Sequence, residues 1–218
     1  MKKIFFNPQT THNQKVGSAY RQQFGFLKKV WESDSFGLER FLRLLLCLAQ
    51  FACPVLLIRE IFGRAGSTAR KLAVEFYLLF KFFFPLIVLA GGFYRSGLVV
   101  CIVVYLLAET ILHILNLIFL ADGEEFSLSY HRAILILFLN FMQVAFDFSV
   151  VYIAFDLLSE PLNPVSAVYF SVVASTTVGF GDICAKAALG QLVVIAQLLI
   201  NLAFVVVFIN YFSQKTNK

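Results

Sequence analysis

Charged side chains are scarce in this sequence: Asp, Glu, Lys and Arg make up only 14% of its 218 residues, whereas hydrophobic residues make up 60%. A soluble globular domain carries about 25% charged residues, and a core of this size cannot bury such an apolar excess. The composition therefore excludes an ordinary soluble protein. It predicts an all-α membrane protein, because a helix satisfies its own backbone hydrogen bonds inside lipid.

The sequence also lacks the patterns of catalytic and metal sites. None of the four cysteines forms a Cys-x-x-Cys pair, and the three histidines have no neighbouring nucleophile or metal-ligand spacing. We expect no enzymatic activity and no cofactor. The apolar run after the basic N-terminus is too short for a signal peptide. The net charge of +5 comes from basic residues between apolar runs, which indicates control of membrane topology rather than a nucleic-acid partner.

Four apolar runs are long enough to cross a bilayer, which needs about 20 residues: 72–93, 98–120, 133–158 and 189–212. A shorter run, 44–58, contains Pro54 and has basic residues on both sides. We predict a basic cytoplasmic segment at 1–43, an interfacial or re-entrant helix at 44–58 that is bent at Pro54, and two additional transmembrane helices over 72–120. Five spans with an external N-terminus is the alternative that the sequence leaves open.

The segment between the last two runs has a different character. Asn163 and Pro164 suit the start of a helix over 165–176, which is too short to cross the bilayer. A loop with alternating glycines follows: Thr177, Val178, Gly179, Phe180 and Gly181. Non-helical backbone at membrane depth is tolerated only where it lines a water-filled path or is buried in protein. The order of span, short helix, loop and span therefore predicts a re-entrant pore loop.

The loop has the residue types that a potassium filter needs. Rings of backbone carbonyls replace the hydration shell of the ion. To aim successive carbonyls at one axis, alternate residues must adopt unusual dihedral angles, which Gly179 and Gly181 do at little steric cost. The Thr177 hydroxyl adds a further oxygen ring, and Asp182 adds carboxylates at the outer mouth. One chain supplies one wall of each ring, so the motif predicts a homotetramer.

Residues 171–182, read as Ser-Val-Val-Ala-Ser-Thr-Thr-Val-Gly-Phe-Gly-Asp, closely resemble the pore signature of the potassium-channel family. The resemblance covers residues 133–212 and implies a tetramer of outer helix, pore helix, filter and inner helix in the cell membrane. It also implies a multi-pass chain in contact with lipid, a cytoplasmic tail at 213–218, and passive potassium flow. The ion is a permeant ligand in such a channel, coordinated by the carbonyls of Thr177, Val178, Gly179 and Phe180.

Three positions depart from common variants of the family. Phe180 replaces the usual tyrosine. Val173 occupies a position where some members carry a glutamate that pairs with the mouth aspartate, so Asp182 is expected to lack that partner. The usual hinge glycine of the inner helix falls on Asn201.

A candidate gate follows from the inner helix. Asn201, Val205 and Ile209 recur every four residues, and the resemblance turns their shared face toward the cavity. Asn201 would form a polar ring below the filter, and Val205 and Ile209 would form apolar rings that gate by dewetting, with Phe212 beside Ile209. Packing against lipid or the outer helix is the alternative for the same residues.

Ionisable residues within spans are a further signal. Glu109, His113 and Asn116 share a helix face, with Lys81 as the expected partner of Glu109; a role in sensing pH is the alternative to packing. Asp147 is expected to make a packing contact. The run 98–120 has no Lys or Arg, so we expect no voltage-sensing ladder.

Two other functions are compatible with the sequence: a subunit of a potassium transporter with pore-like loops, and a non-conducting regulatory subunit. A single complete filter loop argues against the transporter, which usually has four degenerate loops in one long chain. An intact filter argues against the regulatory subunit.

Overall fold

Helices form nearly all of the part of the protein that this computed structural model describes, which is residues 18–32, 37–63, 67–120, 130–159 and 163–216. In those ranges the helices are α1 (Ala19–Glu32), α2 (Leu38–Gln50), α3 (Pro54–Gly63), α4 (Ser67–Ala90), α5 (Gly97–Phe119), α6 (Tyr130–Ala154), α7 (Pro164–Ser175) and α8 (Ala187–Thr216). The described residues contain no strand, only an isolated antiparallel bridge between Leu158 and Ala185. The predicted all-α fold class is confirmed.

Four of the described helices are long and apolar enough to cross a membrane: Leu72–Ala90, Gly97–Phe119, Arg132–Ala154 and Ala187–Asn210. They correspond to the four predicted runs. The predicted segment 1–43 is described from residue 18 onward with a gap at 33–36, and the predicted tail is described only to residue 216.

The short run 44–58 is not a single helix. It belongs to α2 and α3, which are bent by 58° at a break of three residues. The bend lies directly before Pro54, as predicted, because proline has no N–H to continue the helix and its ring clashes with the preceding turn. The helical pair extends beyond the predicted bounds at both ends. Counting the pair as one span would raise the number of spans to five.

The chain divides into two units, Met1–Tyr77 and Leu78–Lys218. In the first unit, α3 caps α1: the Glu60 carboxylate accepts hydrogen bonds from the Ser18 hydroxyl at 2.9 Å and the Ala19 amide at 2.7 Å. The Phe51 ring, at the end of α2, packs against Tyr20 and Phe24 of α1. These contacts explain why α1, α2 and α3 form one small helical assembly.

The second unit is built around α6. One apolar cluster joins α6 to α5 and α8 through residues that include Ile114, Phe148 and Phe204. A second cluster joins α6 to the end of α4 and to α7, where Val88 and Ala167 are buried. The outer helix α6 therefore contacts every other helix of this unit, and it holds α7 and α8 in place around the loop between them.

Candidate functional site

The short helix α7 has well-defined ends. The Asn163 side chain accepts a hydrogen bond from the Ser166 amide at 2.7 Å, and Pro164 occupies the first helical position. Both features match the predicted start. The observed helix, Pro164–Ser175, differs from the predicted 165–176 by one residue at each end.

The C-terminal end of α7 leads directly into the loop. The Val178 amide donates to the Val173 carbonyl at 3.2 Å, and the Thr177 amide donates to the Ala174 carbonyl at 3.1 Å. This pair of bonds is a Schellman motif, which requires a left-handed residue just past the helix. Thr177 takes that position with φ of 58°. The helix end therefore fixes the backbone of the first loop residue.

The loop backbone alternates in handedness. Thr177, Gly179 and Gly181 have φ of 58°, 57° and 78°, whereas Val178 and Phe180 between them do not have positive φ. This is the alternation that a row of inward carbonyls requires. A left-handed backbone costs an L-residue about 1–2 kcal/mol. The glycines avoid most of that cost, whereas Thr177 is held in place by the helix cap and contributes a hydroxyl that glycine lacks.

The loop is uncovered within one chain. Residues 177–182 are all exposed, and the Val178 and Phe180 side chains are 55% and 69% exposed. Non-helical backbone at membrane depth is tolerated only where it is buried in protein or lines a water-filled path. The rest of the described chain does not cover this loop.

Asp182 has a partner that the sequence did not reveal. The Tyr169 hydroxyl donates a hydrogen bond to the Asp182 carboxylate at 2.7 Å, and the Tyr169 ring stacks on Phe180 with the ring planes 4° apart. Position 173 lacks the glutamate of some family members, as noted, but Tyr169 of the same helix takes over its role as a partner. The signal in the sequence is a tyrosine one helical turn before Val173.

The same hydrogen bond affects the protonation of Asp182, which is the residue predicted to lie at the outer mouth. It holds the pKa of the Asp182 carboxyl below its ordinary value and raises the pKa of the Tyr169 hydroxyl. A hydrogen bond to the charged form favours that form. Asp182 therefore stays ionised as the pH falls, until the pH reaches its lowered pKa.

Tyr169→Phe is expected to shift the protonation of Asp182, followed through ion current, to higher pH. Without the hydroxyl, the pKa of Asp182 rises toward its ordinary value, so the carboxylate is protonated earlier as the pH falls. The measurement is current against external pH in wild type and variant. In an Asp182→Asn background the Tyr169 substitution should have no further effect on the profile. Superimposable profiles of wild type and Tyr169→Phe would contradict this assignment.

The chain after the loop is fastened to the end of α6. The Ser159 amide donates to the Cys184 carbonyl at 2.8 Å, and the Lys186 amide donates to the Leu157 carbonyl at 2.7 Å. Gly190 permits a close approach here, because a Cβ at this position would lie 2.6 Å from the Leu157 carbonyl oxygen. The loop is thus held at one end by the cap of α7 and at the other by this short pairing.

The predicted gate residues of α8 do not share one open face. Val205 and Ile209 are 49% and 60% exposed, but Asn201 is only 4% exposed. Each step of four residues advances 40° beyond a full helical turn, so the three side chains spread over 80°, and Asn201 falls on the packed side. A cavity-lining ring at Asn201 stays a prediction, with packing against the neighbouring helices as its alternative; Leu202, at 60% exposure, lies on the open side of the single chain. The Phe212 side chain lies outside the described part of the structure.

Polar side chains of α4, α5 and α6 form a buried network of hydrogen bonds with one ion pair. Lys81 on α4 contacts Glu109 of α5 at 3.2 Å and donates to the Thr110 hydroxyl at 2.7 Å. The Gln143 amide of α6 donates to Thr110 at 3.2 Å and to Asp147 at 3.0 Å. All five are at most 5% exposed. The predicted pair of Lys81 and Glu109 is confirmed, whereas His113 is exposed.

Residues 133–218 match a family model described as "Ion channel". The match includes most of α6 together with α7, the loop and α8, and it does not extend to the helices before residue 133. Searches of curated proteins and of solved structures gave no match.

Proposed function

Because residues 133–218 match a family model described as "Ion channel", we propose that four copies of this chain surround one potassium-selective pore. Potassium would pass through it along its gradient. The observation that carries the proposal is the alternating backbone at Thr177, Gly179 and Gly181. Such alternation suits a column of carbonyl rings that replaces the hydration shell of potassium.

The four-fold assembly is supported by what one chain leaves exposed. Besides the loop, one side of α8 presents large apolar residues: Leu192, Ile195, Leu199, Leu202, Val205 and Ile209. In the proposed tetramer this side faces neighbouring subunits and the cavity below the filter. Val205 and Ile209, joined by Leu202, remain the candidates for an apolar gate that opens and closes by wetting.

Charge distribution supports a cytoplasmic location for the first unit. Residues 1–77 carry 12 Lys and Arg against five Asp and Glu, whereas residues 78–218 carry six against eight. Basic loops stay on the cytoplasmic side of a membrane. We therefore place residues 1–77 largely at the inner face of the cell membrane, with four spans following the interfacial or re-entrant pair of α2 and α3.

The test is a planar-bilayer recording of the purified chain with potassium on one side and sodium on the other. The reversal potential is expected to follow the potassium gradient, and the particle mass in detergent is expected to be that of four chains. A reversal potential that ignores potassium would refute selectivity, and a monomeric conducting particle would refute the tetramer.

A further inference from the structure

One buried side chain of α8 contacts both of the other helices of the pore module. Gln197 is fully buried, and its amide nitrogen donates to the Ser171 carbonyl at 3.0 Å, the Ser171 hydroxyl at 2.9 Å and the Ser175 hydroxyl at 2.8 Å. Its amide oxygen accepts from the Tyr152 hydroxyl of α6 at 2.6 Å. We refer to Tyr152, Ser171, Ser175 and Gln197 as the amide hub.

The direction of each bond in the hub is determined by chemistry. The Ser171 carbonyl can only accept, so the Gln197 nitrogen must face it. The Ser171 hydroxyl donates its hydrogen to the Ala145 carbonyl at 2.6 Å and is therefore left to accept from Gln197. The Tyr152 hydroxyl is consequently the donor to the amide oxygen. Both polar atoms of Gln197 are satisfied, as buried groups require.

The hub lies directly behind the start of the filter. Ser175 is the last residue of α7, and Thr177, the first residue with reversed backbone, follows two positions later. Among the described residues, the Gln197 amide makes the only side-chain hydrogen bonds that join α8 to α7. The helix α8 also packs against its neighbours through an apolar cluster that includes Phe204 and Val207, and apolar contacts do not fix a position along the helix as directional bonds do.

We propose that Gln197 is a positioning residue for the selectivity filter, through which the position of the inner helix α8 determines the backbone of Thr177. The inference rests on the proposed function of the loop. When α8 shifts or rotates, the amide carries Ser175 with it, and Ser175 forms part of the turn whose cap holds Thr177 in its left-handed conformation. Val205 and Ile209 lie on the same helix, so the candidate gate and the filter are connected through one side chain.

Glutamine suits this role because the site needs a donor and an acceptor on one short planar group. A glutamate would place a second oxygen against the Ser171 carbonyl. A methionine would keep the volume but would leave the Tyr152 hydroxyl and the Ser175 hydroxyl without their partner, and buried polar groups without partners are destabilising.

The experiment compares Gln197→Met and Ser175→Ala with Ser149→Ala. Ser149 is a matched control, because it is a fully buried serine of α6 whose hydroxyl donates to the same Ala145 carbonyl at 2.8 Å but does not contact the hub. For each variant we would measure tetramer melting temperature, the sodium-to-potassium permeability ratio, and hydrogen exchange of the peptide covering 176–182.

Gln197→Met and Ser175→Ala are expected to raise the sodium-to-potassium permeability ratio several-fold and to speed exchange in 176–182 about ten-fold, while Ser149→Ala changes neither. A purely structural role would lower the melting temperature of all three variants but leave the permeability ratio and the hydrogen exchange of 176–182 at their wild-type values. That result would overturn the proposal. If Gln197→Met fails to assemble, Ser175→Ala, which removes one hydroxyl, decides alone.

The exchange measurement separates this inference from the proposed function. If the wild-type chain does not conduct potassium but exchange in 176–182 still responds to the hub variants alone, the positioning role stands and the proposed function fails. If the wild type conducts selectively and exchange and permeability are unchanged in the hub variants, the positioning role fails and the proposed function stands.

Discussion

Gly179→Ala is expected to abolish selective potassium current while leaving the chain folded. Gly179 has φ of 57°, and a Cβ built there meets no atom within 4 Å in the single chain. The defect is therefore conformational rather than steric within the subunit: each alanine opposes the left-handed backbone by about 1–2 kcal/mol. In the proposed tetramer the cost arises four times around one ring, so the carbonyls on both sides of position 179 are expected to leave the ion path.

Gly92→Ala is the matched control for this experiment. Gly92 has φ of 70° and open space around its Cα, so alanine meets the same backbone penalty in a turn between α4 and α5. We expect a similar loss of stability per chain and unchanged selectivity. Bilayer recordings with mixed potassium and sodium measure the outcome. Selective current in Gly179→Ala, or an equal loss in Gly92→Ala, would show that the backbone of position 179 does not shape the filter.

The parts of the site that could be predicted are those encoded within a few neighbouring residues. Asn163 and Pro164 identify the start of α7, and the glycine spacing identifies the alternating loop, because caps and positive φ are local properties of the chain. The bend before Pro54 is local for the same reason. The pair of Lys81 and Glu109 was also predicted, since a buried charge within a span needs a partner of opposite charge.

The parts that could not be predicted depend on how each helix is rotated about its axis. Tyr169 reaches Asp182 only because one helix face turns toward the outer mouth, and Asn201 is buried because the four-residue spacing drifts around α8. Gln197 had a signal in the sequence, since it is one of four amide side chains in the otherwise apolar run 189–212, but nothing in that run shows which neighbour the amide meets. The partners of Gln197 on α7, Ser171 and Ser175, lie 26 and 22 residues earlier in the sequence.

A buried network of polar contacts stabilises the packing of α4 and α5, which precede the segment that matches the family model. Lys81 and Glu109 lie on α4 and α5, and Gln143 and Asp147 lie on the outer helix α6, with Thr110 between the two groups. Hydrogen bonds between spans are one of the forces that hold helices together in lipid, where apolar association is weak. These hydrogen bonds and the ion pair therefore hold α4 and α5 against α6.

Lys81→Met is expected to destabilise the protein by about 3–5 kcal/mol, which is the typical result of removing one partner of a buried ion pair. The substitution removes the ammonium that lies 3.2 Å from the buried Glu109 carboxylate, and it removes one of the two donors to the Thr110 hydroxyl, leaving the Gln143 amide. Adding Glu109→Gln should recover part of the loss, because the buried negative charge that has lost its ammonium is then removed as well. Unfolding in detergent, followed for both single variants and the double variant, gives the coupling energy of the pair.

Lys186→Met is the control for that cycle, since it breaks a shorter ion pair in water-exposed surroundings. Lys186 contacts Asp156 at 2.7 Å, but the two side chains are 56% and 67% exposed, so the expected loss is at most about 1 kcal/mol. The contrast between the two lysines tests whether burial, rather than the distance between the charges, determines the effect. Equal losses for Lys81→Met and Lys186→Met, or a double variant whose loss equals the sum of the Lys81 and Glu109 single losses, would show that the pair does not stabilise the contact between α4 and α5.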